Sequence, residues 1–315
     1  MKISTILPLY NGKKFIKEAI DSVRSQTYTN WELIIINDGS TDDSLEYTTA
    51  YVNSLPEKDK IKIIDQENTD VAIARNNAIS YATGDWIALL DQDDYFHPEK
   101  FLSMMSLAED DSGIDVFVSQ RYKITDSGIA EDLHSNRKKT DMFSSEDIIT
   151  NVILGTGIAP IETLFKRDAF NAIGGLDSSL RMSNDWDLWV RFAQHGYRYY
   201  YVEKPLAYYR VHDANTTQFY ERFVPERFKI LEKFFSSCDS RYLHLQDKAF
   251  AYAYRESANP RFNGADYSNF RKDVFKVITL YPKALNIKLI RRFFISYFKQ
   301  IFGKKKHFQI SHKLF

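Results

Sequence analysis

The sequence predicts an α/β fold, with a mostly parallel mixed sheet, helices on both faces and a helical C-terminal extension. Short apolar runs alternate with segments of helical periodicity through residues 1–95. Polar residues directly follow three of these runs, and after about residue 215 only helical periodicity remains. The 315 residues are 44% hydrophobic and 27% charged, which is typical of a globular protein with a sizeable core.

The first half of the chain predicts four strands that alternate with three helices. The run 31–38 is rich in Ile and is long enough for a strand covered on both faces. Ser40 and Thr41 are candidate N-caps for the helix that follows. The βαβαβαβ order indicates parallel strands. The predicted strands are 3–10, 31–38, 61–65 and 86–91, and the predicted helices are 13–26, 42–54 and 71–82.

The second half is less regular. A strand and a short helix are predicted over 161–175 and end at Gly174-Gly175, and an amphipathic helix is predicted over 184–196. We expect a first domain over 1–215, with halves at 1–95 and 96–215, and a helical region over 216–315. Further predicted elements are strands at 115–124, 197–202 and 205–212 and a helix at 144–154.

The charge is balanced overall, with 42 Lys and Arg against 42 Asp and Glu, but it is unevenly distributed. Residues 283–315 contain nine Lys and Arg and no Asp or Glu, so the first 282 residues are net negative. A single cysteine, Cys238, excludes an intrachain disulfide and suits a reducing compartment. Neither a signal peptide nor an apolar stretch of 18 residues is present, so we expect a cytoplasmic protein. We expect no nucleic-acid partner.

Polar groups follow the predicted strand ends at 10–11, 38–40 and 91–93. Ligands bind beyond the carboxyl ends of parallel strands, so these groups predict a ligand crevice. Asp91, Asp93 and Asp94 place three carboxylates together, which is costly unless a positive group lies among them. A hard divalent cation is one candidate for that group. A solvated turn before the helix that Pro98 opens is the alternative.

Two residues outside the acidic cluster allow two interpretations each. Asp38 could belong to a turn before the next helix, with the bend at Gly39 and a cap from Ser40 or Asp42. Alternatively, Asp38 could accept a hydrogen bond from a base N–H while Tyr10 stacks on the ring. Arg75 could be a surface cation paired with Asp70, or it could contact a nucleotide.

Five motifs in order resemble those of family 2 glycosyltransferases with the GT-A fold. The resemblance covers about residues 1–215. The motifs are STILPLYNGKKFIKEAIDSVRSQTYTNWELIIINDGSTDDS, ARNNAI, GDWIALLDQDD, NDWDLW and YRVH.

The resemblance implies a nucleotide-sugar donor, usually a UDP-sugar, with the nucleotide bound in the half at 1–95. It implies that Asp91 lies near the ribose and that Asp93 binds Mn²⁺ or Mg²⁺, which holds the diphosphate. His212 matches a position where many relatives place a further metal ligand. The residues implied to bind the nucleotide are Pro8, Tyr10, Asn11, Asp38, Arg75, Asp91 and Gln92.

The resemblance also implies a general base in the acceptor half at 96–215. Family members carry a Glu-Asp pair at the start of an amphipathic helix, and here the pair is Asn184-Asp185. Asp185 is the expected base, although a first-turn helix charge would also explain it. Asp187 is a competitor that an ion pair with Arg191 would explain.

The implied activity is inverting transfer of a hexose or N-acetylhexosamine to a glycan hydroxyl, with a lipid-linked acceptor in surface-polysaccharide synthesis. A metal-dependent nucleotidyltransferase is the first alternative, but the loop after the first strand offers only Gly12 for a triphosphate. A catalytically inactive sugar-nucleotide or glycan-binding module is the second.

The basic C-terminal end, 283–315, predicts an amphipathic helix. Residues 287–306 combine an aromatic stripe with a basic cluster, which is typical of a helix on an anionic membrane surface. Packing on the first domain is the alternative. We expect peripheral association with the inner face of the cytoplasmic membrane. The stripe comprises Ile290, Phe293, Phe294, Tyr297, Phe298, Ile301 and Phe302.

Overall fold

A computed structural model describes residues 1–125, 128–133, 141–143, 145–155, 157–212 and 220–310. The chain divides into two compact units, and they are described separately. The first comprises residues 1–152 and 156–215, and the second comprises 153–155 and 216–315.

The first unit contains a mixed sheet that has ten strands among the described residues. The order is β3-β2-β1-β4-β9-β6-β10-β5, with β7 beside β6 and β8 beside β10. Strands β1, β2, β3 and β4 are parallel neighbours, and β9 joins β4 to β6 by antiparallel pairing. The strands are β1 (Ile3–Leu9), β2 (Trp31–Asp38), β3 (Ile61–Gln66), β4 (Trp86–Leu89), β5 (Tyr95–Phe96), β6 (Val116–Thr125), β7 (Gly128–Leu133), β8 (Asp141–Phe143), β9 (Thr163–Lys166) and β10 (Tyr199–Arg210).

Helices connect these strands, as the alternating pattern predicts, so the expected α/β fold is confirmed. Every residue of β4 is buried, and so is the stripe Ile16, Ala19, Ile20 and Val23 of α1. Each buried aliphatic side chain contributes about 1.5–3 kcal/mol, so this layer stabilises the edge that carries the strand ends. The helices are α1 (Ile16–Arg24), α2 (Ser44–Asn53), α3 (Val71–Ser80), α4 (Lys100–Asp110), α5 (Ser145–Ile153), α6 (Arg167–Ala172) and α7 (Asn184–Gln194).

Strand β10 differs from the two strands predicted over 197–212. The two predicted runs form one strand, which pairs in parallel with β6 and shifts register on both sides of Pro205. Proline has no N–H to donate to a ladder, and a bulge accommodates it. The strand therefore continues past the proline and carries Arg210 to the same edge as the ends of β1 and β4.

The second unit is helical. It contains α8 (Tyr220–Ser237), α9 (Gln246–Asn263), α10 (Tyr267–Leu280) and α11 (Ile287–Ile310). Phe262, Phe270, Val274 and Leu289 form a small core in which one face of α11 packs on α9 and α10. Among the described residues, no helix is both long and apolar enough to cross a bilayer.

Candidate active site

The carboxyl ends of β1, β2 and β4 lie at one edge of the sheet because these strands are parallel neighbours. The loops that leave them carry Tyr10 and Asn11, then Gly39 and Ser40, then the acidic cluster. The sequence predicted this convergence from the polar residues after each run. Pro8 itself lies within β1, opposite Ile36.

Asp91 pairs with Arg75, which lies on α3. The guanidinium Nη2 contacts Asp91 Oδ1, and the Arg75 side chain is only 6% exposed. The Asp91 side chain is 37% exposed, so it presents a carboxylate to solvent while Arg75 neutralises it from inside. The suggested pairing of Arg75 with Asp70 is wrong, because Asp70 pairs with Arg181 instead.

Gln92 ties the acidic loop to the end of β1. Its Oε1 accepts from Tyr10 N at 2.9 Å, and its Nε2 donates to Tyr10 O at 3.0 Å. A Cβ on Gly12 would lie 2.1 Å from Gln92 Oε1, so the glycine makes room for this contact. The Tyr10 ring is 46% exposed and is free to stack on a planar ligand.

His212 and Asp93 place together, at the same edge, two atoms that could ligate a metal. His212 Nε2 lies 2.8 Å from Asp93 Oδ2, and the imidazole stacks on Phe15 at 5.4 Å between ring centroids. Burial and the charge of Asp91 raise the pKa of Asp93 against the lowering effect of His212. A cation there would offset the cost of burying the Asp93 charge and its repulsion by Asp91. The nitrogen and oxygen donors suit Mn²⁺ or Mg²⁺.

Asp94 is buried and performs a different task from its neighbours. Its Oδ1 accepts from Arg210 N at 2.8 Å, and the Arg210 side chain donates from Nε to Asp93 O at 2.8 Å. Burial and the charges of Asp93 and Asp91 raise the pKa of Asp94 well above its usual range. These contacts fix the acidic loop on the end of β10, a role that sequence spacing did not predict.

Asn11 organises the loop after β2. It adopts a left-handed backbone conformation with φ of 48°, which asparagine tolerates better than most residues. Asn11 N donates to Ser40 Oγ at 3.1 Å, and Thr41 N donates to Asn11 Oδ1 at 2.8 Å. The prediction that Ser40 and Thr41 cap the next helix is wrong, since α2 begins at Ser44 and these residues bind Asn11 instead.

Asp38 has one saturated oxygen. Asp38 Oδ1 accepts from Gln66 Nε2 at 2.6 Å and from the N and Oγ1 atoms of Thr69, both at 2.9 Å. Three donors on one oxygen hold the side chain in a single orientation. A carboxylate can only accept hydrogen bonds. Gln66 and Thr69 were missed in the sequence, because neither belongs to a motif.

Asp185 lies in the first turn of α7, half-buried and close to the Arg75–Asp91 pair. Burial raises its pKa to about 6, while the Arg75 charge acts in the opposite direction and the Asp91 charge adds to the rise. Its Oδ1 accepts from Trp186 N at 2.8 Å. A carboxylate with such a pKa can take up a proton near neutral pH.

The competitor Asp187 is buried in an ion pair with Arg191, with Oδ2 and Nε 2.6 Å apart. Arg191 Nη1 also donates to Ile173 O at 2.9 Å, so the pair fastens α7 to the end of α6. Asn184 is buried as well and donates to Arg181 O at 3.3 Å. Of the three neighbouring polar residues, Asp185 is the accessible one.

Comparisons with known proteins agree with this arrangement. Residues 4–174 match the model of the family described as glycosyl transferase family 2. The chain is 32% identical over 221 residues to the uncharacterized glycosyltransferase RT0329 of Rickettsia typhi, which covers 68% of this chain and 65% of that protein. It is 29% identical over 208 residues to the putative glycosyltransferase EpsE of Bacillus subtilis, covering 65% of this chain and 71% of EpsE. The chain thus spans just under two thirds of the length of the Rickettsia relative.

Solved structures share the fold at low sequence identity. TarS residues 1–349 of S. aureus, in complex with UDP-GlcNAc, align with a TM-score of 0.59 at 18% identity over 90% of each chain. The mannosyltransferase PcManGT of Pyrobaculum calidifontis, in complex with GDP-Man and Mn²⁺, also aligns at 0.59, with 16% identity over 96% of this chain and 88% of that one.

The fold is therefore that of the GT-A transferases, with an acidic cluster at the edge of the sheet. The family match covers more than half of the chain. The protein belongs to glycosyl transferase family 2, which confirms the resemblance found in the motifs.

Proposed function

We propose that the protein is an inverting glycosyltransferase that moves a sugar from a nucleotide-sugar donor to a hydroxyl of a glycan. One observation carries this proposal. Asp185, with a pKa of about 6, lies close to the Arg75–Asp91 pair at the edge where the loops proposed to bind the nucleotide meet. A nucleophile-activating base beside a diphosphate-binding site is the arrangement that glycosyl transfer needs.

The donor is proposed to be a UDP-hexose or UDP-N-acetylhexosamine. Asp38 offers an acceptor oxygen that selects a nucleobase with an N–H at the facing edge, as uracil and guanine have. Tyr10 would stack on the base, and Pro8 and Asn11 would shape the loop around it. The UDP-GlcNAc bound to TarS supports uracil, whereas the GDP-Man bound to PcManGT keeps guanine as the second choice.

Asp93 and His212 would hold the divalent cation, and Asp91 would lie near the ribose. When bound, the cation offsets negative charge on the departing diphosphate. The described residues contain no cluster of three or more ligating side chains, so donor phosphate oxygens and water would complete the coordination. Gln92 would keep the acidic loop against Tyr10 throughout.

Asp185 would act as the general base. In its ionised form it removes the proton from the acceptor hydroxyl, and the oxygen attacks the anomeric carbon from the face opposite the diphosphate. The bond from that carbon to the diphosphate oxygen breaks as the new glycosidic bond forms. Arg75, buried beside Asp91, would place a positive charge near this carboxylate.

The acceptor is proposed to be a glycan on a lipid carrier, with the protein on the inner face of the cytoplasmic membrane. Helix α11 supports this through its second face. Leu289 is buried, whereas Ile290, Phe294 and Phe298 are 44%, 62% and 65% exposed. Exposed Lys288, Arg291 and Lys299 accompany this face, and no acid occurs after residue 282. Exposed aromatic side chains with cations are typical of interfacial helices.

A nucleotidyltransferase and an inactive binding module remain the competing functions. The test is thermal shift with UDP, GDP and CDP, followed by UDP release from UDP-hexoses and UDP-N-acetylhexosamines with and without EDTA. We expect stabilisation by UDP and release that EDTA abolishes. Binding without release would support the module, and release of pyrophosphate from UTP and a sugar phosphate would support the nucleotidyltransferase.

A further inference from the structure

Helix α3 carries three consecutive side chains, and each contacts a different segment of the site. Arg75 pairs with Asp91 in the acidic loop. Asn76 contacts Leu176, and Asn77 Nδ2 donates to Gln66 Oε1 at 2.7 Å. Successive helical residues point about 100° apart, so α3 is surrounded by site segments on three sides.

Asn76 pairs with the main chain of Leu176 as one strand residue pairs with another. Its Nδ2 donates to Leu176 O at 2.9 Å, and its Oδ1 accepts from Leu176 N at 2.9 Å. The preceding Gly175 has φ of 73°, and a Cβ there would lie 2.9 Å from Asn76 Oδ1. The glycine therefore permits the close approach that these two hydrogen bonds require.

The segment that Asn76 holds leads into α7, whose first turn carries Asp185. A second contact fixes its far end, because Asp70 at the start of α3 pairs with Arg181, with Oδ2 and Nε 3.1 Å apart. Asn184 Nδ2 then donates to Arg181 O at 3.3 Å. One helix thus anchors both ends of the segment before Asp185, and also anchors Asp91.

We infer that Asn76 is a positioning residue for proton transfer, because it fixes the segment before Asp185 to the helix whose Arg75 fixes Asp91. This inference rests on the proposed function. Asn76 contacts neither donor nor acceptor in this scheme. It acts by holding the base, Asp185, at the correct position relative to the donor. Misplacement by about 1 Å can cost roughly a hundredfold in rate.

The experiment compares Asn76→Ala and Gly175→Ala, which disturb the contact from its two sides. Asn53→Ala, an exposed asparagine at the end of α2, is the matched control. Calorimetry with UDP and Mn²⁺ gives donor-site affinity. Turnover is measured as UDP release by hydrolysis of the donor, with water in place of the acceptor. The donor is the one that the wild type hydrolyses fastest among UDP-glucose, UDP-galactose, UDP-N-acetylglucosamine and UDP-N-acetylgalactosamine.

We expect both variants to bind UDP within about twofold of the wild type while release falls roughly tenfold to a hundredfold. The control should match the wild type in both measurements. Unchanged release in Asn76→Ala overturns the inference. A Kd that rises by the same factor as release falls also overturns it, since that result indicates a general structural role. A wild type that binds no UDP and hydrolyses none of the four donors overturns the proposed function itself.

Discussion

At the residue scale, three neighbouring carboxylates have three different partners. Asp91 pairs with the Arg75 guanidinium, Asp93 contacts the His212 imidazole, and Asp94 accepts from the Arg210 main chain. The motif predicted that positive groups would gather here, and it implied a metal for Asp93. It did not distinguish the buried Asp94 from its neighbours, because Arg210 lies 116 residues away and only the sheet brings them together.

Asp93→Ala should abolish metal-dependent turnover while the fold remains intact. Removing one of two protein ligands takes away the charge compensation at the diphosphate, which is worth several kcal/mol of barrier. UDP release with increasing Mn²⁺ measures the effect. Asp43→Ala is the control, because Asp43 is an exposed acid that pairs with Lys13 at the surface. Near-normal kcat at saturating Mn²⁺ would show that Asp93 is not a ligand.

Asp185→Asn should stabilise the protein at neutral pH. The folded-state pKa of about 6 lies above the ordinary value of 3.8, so the folded state resists ionisation. The wild type therefore loses stability as pH rises from about 4 to 6, and the loss persists above pH 6. This pKa shift corresponds to at most about 3 kcal/mol in the free energy of unfolding. Urea unfolding of the wild type and of Asp185→Asn at pH 4 and pH 7.5 checks this. A difference in the free energy of unfolding between the two proteins that is equal at both pH values would contradict it.

At the element scale, the regular strands and helices of the first half were predicted to within a few residues. Their apolar periodicity is strong because each packs one face or both faces in the core. The antiparallel β9 between β4 and β6 was not predictable, since no local pattern encodes the neighbour of a strand. The two-residue β5 and the continuous β10 depend on pairing and on a bulge at Pro205, which act over long distances.

Gly12→Ala should loosen the loop after β1. The new Cβ would displace the Gln92 amide from both of its hydrogen bonds to Tyr10. Each such bond contributes about 1 kcal/mol, so UDP affinity should fall roughly tenfold if the loop binds the base. Gly113→Ala is the control, because there the Cβ meets the ends of the Arg198 and Asp111 side chains, before β6 begins. Equal UDP affinities in Gly12→Ala and Gly113→Ala would argue against this role of the loop.

Helix α11 shows why a sequence stripe can be ambiguous. Phe293 belongs to the inner face and packs against the small helical core, whereas Phe294 and Phe298 face outward. The predicted stripe therefore combined a packed face with an exposed one. Ile301 and Phe302 belong to the same stripe, but their side chains lie outside the part of the chain that the structure describes.

At the scale of the whole molecule, we expect reversible binding to anionic membranes. Each cation near an anionic surface is worth about 1 kcal/mol, so the basic end could hold the protein there. Co-sedimentation with phosphatidylglycerol vesicles should decrease with salt and with the double variant Phe294→Ser/Phe298→Ser. Leu243→Ser removes an exposed apolar side chain elsewhere and serves as the control. If the protein stays in the supernatant at low salt, the exposed face of α11 does not bind anionic membranes.

The central claim is that Asp185 is the base of a sugar transfer from a UDP-sugar. The most direct test measures UDP affinity and UDP release side by side in the wild type and in Asp185→Asn. The amide is nearly isosteric and cannot accept a proton, so we predict unchanged affinity and a release rate lower by about 10²–10⁴-fold. An Asp185→Asn variant that releases UDP at the wild-type rate would contradict the account.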